Sequence, residues 1–419
     1  MRVCILTLGS RGDVQPYVAL ARGLDAAGYS TALLAAPSFR PFVEANGVEW
    51  RSFDTGDPRA LLHSDEGRAL VRGMANPLRL VRELGRLVEP LIEKGYVEAG
   101  QNTADADAIL VAPTALPLAQ ALRDRRGTPF ACAFLQPGHS TREFGSWILP
   151  EPPRWMPFRG AFCRLSHVVG WELLYQIVGR AYDEARQRVF GLPPATNPFS
   201  ALAREHWPTL YGFSRAVVPR PKDWGAEVEV TGYWFLDRDP SWRPPTELEA
   251  FLAAGPAPIC VGFGSMPSPD PAALTREVVG ALGLAGRRGI LLSGWGALTG
   301  VELPETVLAL EAAPHDWLYP RVAAVVHHGG AGTTSAALRA GVPSMVVPFM
   351  ADQKFWGARV AAIGAGRRPF PRRRLSADAF SAALRDLVEN PSYRAGAERV
   401  AAQLAREDGV GRAVAALPF

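Results

Sequence analysis

Two glycine-rich turns carry the residue types that could do chemistry in this 419-residue chain. The first, Gly9-Ser10-Arg11-Gly12-Asp13, follows the apolar run Val3 to Leu8 and leads into a helical pattern from Val14 to Ala26. A carboxylate there, Asp13, could take a proton from a bound hydroxyl; it could also serve only the helix start, at about 1 kcal/mol. The second turn, His327-His328-Gly329-Gly330-Ala331-Gly332, lies between the apolar run Ala323 to Val326 and a helical stretch that Thr333 and Thr334 can cap. Its glycines let the backbone approach a ligand at the positive end of a helix dipole. That makes the turn a candidate phosphate site, with one imidazole placed to donate to a phosphate oxygen. Taken alone, such a turn can also do no more than reverse the chain.

The elements that must position these turns read as strand, loop, helix, strand units. Gly28 closes the first helix and Thr31 to Ala35 follows as a strand; Gly341 and Pro343 close the second and Met345 to Val347 follows. Further apolar runs at Ala108–Ala112, Phe130–Leu135, Ile259–Phe263 and Gly289–Leu292 alternate with helical stretches, as in parallel sheets covered on both faces. Several strand ends carry polar or small residues: Gln136 to His139, Gly264-Ser265-Met266, and Ser293-Gly294-Trp295-Gly296. His139 could touch a substrate or assist proton transfer, and a plain loop histidine fits as well. The glycines of the first turn do not follow G-x-G-x-x-G and no acidic residue ends the second strand, which argues against a nicotinamide or flavin enzyme.

Size and composition narrow the class. The length suits two domains of about 200 residues each. Hydrophobic residues at 48% and charged residues at 21% are ordinary for an α/β protein. The net charge of +4 is small, and the basic residues are scattered except at Arg372, Arg373 and Arg374, which read as a solvated cluster; nucleic-acid binding gets no support. Cys4, Cys132, Cys163 and Cys260 lie far apart and read as reduced core thiols. Asp237-Arg238-Asp239 resembles a metal-binding pair but lies in a proline-punctuated linker, so it reads as solvated, as do Asp105 and Asp107; no metal is expected. The apolar run before Arg11 is too short for a signal peptide, and a cytoplasmic enzyme is the simplest expectation. Phe144 to Leu192 is dense in large apolar residues, mostly core, some suited to lining a pocket for a flat or greasy molecule. Arg154, Arg159 and Arg164 interleave with them, a pattern that membrane-surface segments use.

The stretch HHGGAGTTSAALRAGVP followed by PFMADQKFWGARV resembles the donor-binding segment of inverting glycosyltransferases of the two-Rossmann (GT-B) type, the UDP-glycosyltransferase group that contains sterol glucosyltransferases and antibiotic-aglycone or macrolide glycosyltransferases. GSRGDVQPYVALARGL resembles the same family's amino-terminal motif. The resemblance implies an α/β protein of two Rossmann-like domains facing across a cleft, each a mostly parallel sheet with helices on both faces. Residues 1–218 would bind the acceptor, 219–245 link, 246–392 bind a nucleoside-diphosphate sugar, and 393–419 form a helix returning to the first domain. It implies Asp13 as general base; His139, by its place at a strand end and not by the resemblance, is a further candidate to touch the acceptor or aid the proton. His328, Gly330, Gly332, Thr333 and Ser265 would hold the diphosphate, and Asp352 and Gln353 the sugar hydroxyls. Trp295, Ala313 and His315 would take the nucleoside; Trp147 and Trp155 are acceptor candidates from the aromatic density of their segment. Ala312 stands where plant relatives place a base-stacking tryptophan, which leaves uridine and thymidine both open. The implied reaction moves a sugar from a UDP- or TDP-linked donor to a hydroxyl of a lipophilic sterol, macrolide, polyketide or polyphenol, with no metal or other cofactor, by a monomer or homodimer that could touch a membrane surface weakly. An epimerase or phosphorylase on the same fold, or a non-catalytic auxiliary protein, are the alternatives.

Overall fold

A computed structural model describes the chain except residues 55–76, 150, 154, 267, 269, 295–297 and 299. The chain forms two compact units: Met1–Arg215 with Pro219–Leu236 and Asp408–Phe419, and Ala216–Val218 with Asp237–Glu407.

In the first unit β1 (Arg2–Leu6), β2 (Ser30–Ala35), β3 (Glu49–Ser52), β4 (Ala108–Val111), β5 (Phe130–Phe134), β6 (Thr209–Tyr211) and β7 (Val228–Val230) form one parallel sheet in the order 3-2-1-4-5-6-7. Val3 to Leu6 and all of β4 and β5 are buried, so these strands carry no polar face and need helices on both sides. Those helices are α1 (Arg11–Ala26), α2 (Arg40–Ala45), α3 (Pro77–Asn102), α4 (Leu116–Arg126), α5 (Arg159–Phe190) and α6 (Pro198–Arg204). The chain winds outward from β1 to β3, then returns to β4 on the other side of β1. Such a reversal opens a crevice at the carboxyl ends of β1 and β4, where α/β sheets bind ligands.

The second unit repeats this logic. β8 (Ile259–Gly262), β9 (Gly289–Leu292), β10 (Val307–Leu310), β11 (Ala324–His327), β12 (Ser344–Val346) and β13 (Gly366–Arg367) pair in parallel in the order 10-9-8-11-12-13, with the switch between β8 and β11. Phe263, Val278 and Phe380 pack one face, and Leu318, Tyr319 and Val325 the other. Its helices are α7 (Thr246–Ala253), α8 (Pro271–Leu284), α9 (His315–Leu318), α10 (Ala331–Arg339), α11 (Gln353–Ala362), α12 (Ala377–Glu389) and α13 (Pro391–Leu404).

Two expectations change at the joins. Val228–Val230, inside the stretch read as linker 219–245, is the edge strand of the first sheet, with Val228 and Val230 buried. Three residues are too short to show a period. The helical run from Tyr393 to Leu417 is interrupted: α13 belongs to the second unit, and only α14 (Gly409–Ala415) lies in the first. Asp408 caps α14 by accepting the Gly411 amide at 2.8 Å, and Val410 fills the space over Gly23 of α1.

Candidate active site

Asp13 sits at the crevice of the first sheet, in the opening turn of α1. Its Oδ2 accepts from the Ser10 amide at 2.8 Å and the Ser10 hydroxyl at 3.0 Å, and its own amide donates to the Ser10 carbonyl at 2.9 Å. Oδ1 accepts no hydrogen bond from the described residues. The carboxylate folds back over Gly9, which has φ +129°; a Cβ there would lie 2.3 Å from Oδ2, so only glycine allows this pose. Water reaches Asp13, yet surrounding protein crowds it. That desolvation pushes its carboxyl above the ordinary aspartate range, against the pull of the two Ser10 hydrogen bonds.

His139 is placed differently from its expected role. It is buried beyond β5, and the Tyr211 hydroxyl lies 2.8 Å from its Nδ1. That hydroxyl accepts the amides of Gly138 at 2.8 Å and His139 at 2.9 Å, so its own proton goes to Nδ1. The ring proton then lies on Nε2, which is buried without a partner. Burial pushes this imidazole down to about 3. A ring held neutral with its one available nitrogen protonated is no general base. Tyr211 lies 72 residues downstream, and no sequence pattern signals it.

The aromatic segment after β5 divides by face. Trp147 donates from Nε1 to the Pro137 carbonyl at 3.1 Å and sets its edge on buried Trp171, with ring centroids 5.7 Å apart. Trp155 is 81% exposed. The two residues expected to hold an acceptor thus sit in different settings, one braced and one in water.

In the second unit the strand ends at the β8–β11 switch bring Gly264 and His328 together. A Cβ on Gly264 would lie 2.9 Å from His328 Cε1, and one on Gly330 would lie 2.5 Å from Nε2, so the imidazole fills a slot that only glycines leave open. Burial pushes His328 down to about 4, so it is neutral at physiological pH. Its Nδ1 is buried without a partner. The tautomer with the proton on Nε2 avoids burying an unpaired donor and places an N–H beside the turn. His327 is fully buried; its Nδ1 accepts the Gly329 amide at 3.1 Å, so it pins the turn from below.

Helix α10 begins at Ala331, two residues earlier than expected. Thr333 and Thr334 lie inside it, and Thr334 Oγ1 donates back to the Gly330 carbonyl at 2.9 Å. Gly330 takes the N-cap place in extended conformation and no side chain caps the end. The first amides of the helix, including Gly332 and Thr333, therefore keep the donors that every helix start leaves over. Together with the His328 ring they form a concave set of neutral donors, which suits an anion. Ser265 follows Gly264 in the adjoining turn.

The loop after β12 departs from expectation. Gln353 is buried, and its Oε1 accepts the amides of Phe349 at 2.6 Å and Met350 at 3.0 Å while Nε2 donates to Met266 Sδ at 3.0 Å. In this geometry Gln353 braces the loop rather than presenting its amide to a sugar. Asp352 Oδ2 accepts from Trp356 Nε1 at 2.6 Å, which orients its carboxylate. Ala351, just before Asp352, has φ +51°, a left-handed strain that these hydrogen bonds hold in place. His315 stacks on Tyr319 with ring centroids 4.4 Å apart, Ala313 packs against the core cluster that contains Tyr319, and Trp295 lies outside the described residues. Asp237 pairs with Arg339 at 2.8 Å, and Asp239 accepts from Ser241. Each carboxylate of the apparent metal pair therefore has a protein partner.

Residues 3–115 match the Glycosyltransferase family 28 N-terminal domain, and residues 296–412 match the Erythromycin biosynthesis protein CIII-like, C-terminal domain. Sterol 3-beta-glucosyltransferase UGT80B1 of Arabidopsis thaliana is 36% identical over 99% of this chain and 67% of its own. The chain belongs to the GT-B glycosyltransferases. A sterol 3-beta-glucosyltransferase of Aspergillus clavatus is 33% identical over 100% of this glycosyltransferase but 29% of its own length, so the chain spans less than a third of that relative. Two solved structures share the fold. The glycotransferase of kitacinnamycin has a TM-score of 0.69 at 19% identity, covering 99% of this chain and 97% of its own. Glycosyltransferase VinC in complex with DTDP has a TM-score of 0.66 at 18% identity, covering 99% and 98%.

Proposed function

We propose that this glycosyltransferase moves a hexose from a UDP- or TDP-linked donor to a hydroxyl of a lipophilic acceptor, a sterol, macrolide, polyketide or polyphenol, inverting the anomeric carbon without a metal. The observation that carries the reading is the uncapped start of α10 beside the neutral His328 ring, at the switch point of the second sheet. Asp13 accepts the proton of the acceptor hydroxyl as its oxygen bonds to the anomeric carbon. The bond from that carbon to the diphosphate breaks, and the charge left on the diphosphate goes to the α10 amides and the His328 N–H, preorganised donors that need no metal ion. One displacement of this kind inverts the anomer. Support for the acceptor class comes from the sterol relatives and for the nucleotide from the DTDP-bound fold neighbour. Asp352, Trp295, Ala313 and His315 belong to the donor side in this reading, which also places the enzyme in the cytoplasm as a monomer or homodimer.

The test is product analysis with UDP- and TDP-hexoses against a sterol, a macrolide and a polyphenol. The expected product is a glycoside of inverted anomeric configuration, formed equally in excess chelator. Activity that disappears with chelator and returns with magnesium or manganese overturns the metal-free phosphate site.

A second part of the reading concerns a membrane surface. Phe158, Phe162, Leu165, Val169 and Leu173 recur at helical spacing along the start of α5 and are all exposed, with Phe158 87% and Trp155 81% in water. The opposite face, with Cys163, His167 and Trp171, is buried and packs on the loop after β5. Of the arginines interleaved with the aromatic residues, Arg154 lies outside the described residues, Arg159 pairs with Glu151, and Arg164 pairs with no carboxylate among the described residues. No helix among those residues is long and apolar enough to cross a membrane. An apolar stripe with aromatic tips and basic flanks suits the surface of a bilayer, from which a lipophilic acceptor would come. Replacing Phe162 and Leu165 with glutamine should abolish co-sedimentation with vesicles while transfer to a water-soluble acceptor continues. Undiminished co-sedimentation sinks the membrane reading, and a change from dimer to monomer assigns the stripe to a second copy instead.

A further inference from the structure

Three loops leave the carboxyl edge of the second sheet: residues 263–270 after β8, of which 267 and 269 lie outside the described residues, 347–352 after β12, and 368–376 after β13; Gly264 of the first packs against His328. Contacts tie them together. Gln353 at the end of the second loop reaches Met266 in the first, and Phe349 sets its ring 5.3 Å from that of Phe263. The third loop brings one cation into this junction. Of the three consecutive arginines, Arg373 and Arg374 are exposed as a solvated cluster should be, but Arg372 turns inward and is half-buried. Its guanidinium carbon stands 4.4 Å over the Phe349 ring, and its Nη2 lies 3.4 Å from Ser268 Oγ, a weak contact at best.

What this guanidinium does not have is a counter-charge. Arg367, five residues earlier, pairs with Asp386 at 2.9 Å. Arg372 meets no carboxylate within ion-pair distance among the described residues. Burial pushes its pKa below the ordinary arginine range, and no acid compensates. A planar fork held by stacking, partly stripped of water and lacking an anion, is a poor structural element and a good receptor for phosphate oxygens. The neutral donors at α10 suit an anion but bring no full positive charge of their own.

We infer that Arg372 is a donor-positioning residue, its guanidinium taking a phosphate oxygen of the nucleotide sugar between the 263–270 and 347–352 loops. The inference rests on the reading that the second unit binds the donor. It adds a cation to a site otherwise built from neutral groups, and it gives the Gln353 brace a purpose: Gln353 fixes Phe349, and Phe349 fixes the arginine.

The test uses Arg372→Met, which keeps the length and the apolar contact with Phe349 while removing the charge. Calorimetric titration of the full chain with UDP and TDP, and with the bare nucleosides, separates phosphate from base recognition. Diphosphate affinity should fall about 10- to 100-fold with nucleoside affinity and melting temperature unchanged. Unchanged diphosphate affinity overturns the inference, and so does an equal loss for the nucleosides, which would mean that the loop has collapsed. A loss confined to donors with a carboxylate on the sugar also overturns it, moving the cation to the sugar. Where the methionine variant melts early, Arg372→Lys carries the same comparison with a smaller expected loss. Wild-type protein that binds neither diphosphate would instead defeat the donor-site reading itself, whatever Arg372 does.

Discussion

Asp13→Asn is expected to lower kcat by roughly 10²- to 10⁴-fold with donor affinity unchanged, the size of effect of removing a positioned general base. The amide still accepts from the Ser10 N–H, so the start of α1 keeps its hydrogen bond. Stability gives a second readout of known sign. Because crowding raises the Asp13 pKa in the folded protein above its unfolded value, the folded state holds the proton more tightly. Stability contributed by this group is therefore lost as pH rises between the two values, and the ionised carboxylate lowers stability throughout the neutral range. The asparagine variant should melt at the same temperature as wild type at pH 7, or higher. The raised value also moves the acid limb of kcat/KM above the ordinary aspartate value of about 3.9, and that limb should vanish in the variant. Early melting with full turnover per folded molecule would reduce Asp13 to a helix-start residue.

His328→Ala should weaken nucleoside-diphosphate binding about 10- to 100-fold, as expected for one hydrogen bond to a charged oxygen. The ring itself fills the space beside Gly264 and Gly330. Burial holds the imidazole down at about 4, so it donates as a neutral group and does not titrate between pH 5.5 and 7.5. The ratio of wild-type to variant affinity, measured by calorimetry at those two pH values, should therefore be constant even though the ligand itself titrates. A ratio that grows toward pH 5.5 would mean that the ring binds as a cation, and a ratio of one would remove His328 from the site.

Much of this was legible in the chain because the signals are local. Unbroken apolar runs such as Ile109 to Val111 mark strands buried on both faces, and Gly28 and Gly341 mark helix ends, so the two parallel sheets follow from neighbouring residues alone. The two turns that follow β1 and β11 were readable for the same reason, since glycine spacing, a first-turn acid and an adjacent histidine all lie within a few positions. What sequence could not decide depends on residues that are distant along the chain. The three-residue strand β7 exists only because β6 offers it an edge. His139 is fixed as a neutral donor by Tyr211, and Gln353 is drawn into its own loop by Met266, 87 residues earlier. Burial separates Arg372 from Arg373 and Arg374, which are the same residue type in one run. Local pattern sets which elements form because backbone geometry and apolar periodicity are short-range; tertiary packing alone sets which polar side chains lose their water, and with it their protonation and their remaining capacity to bind.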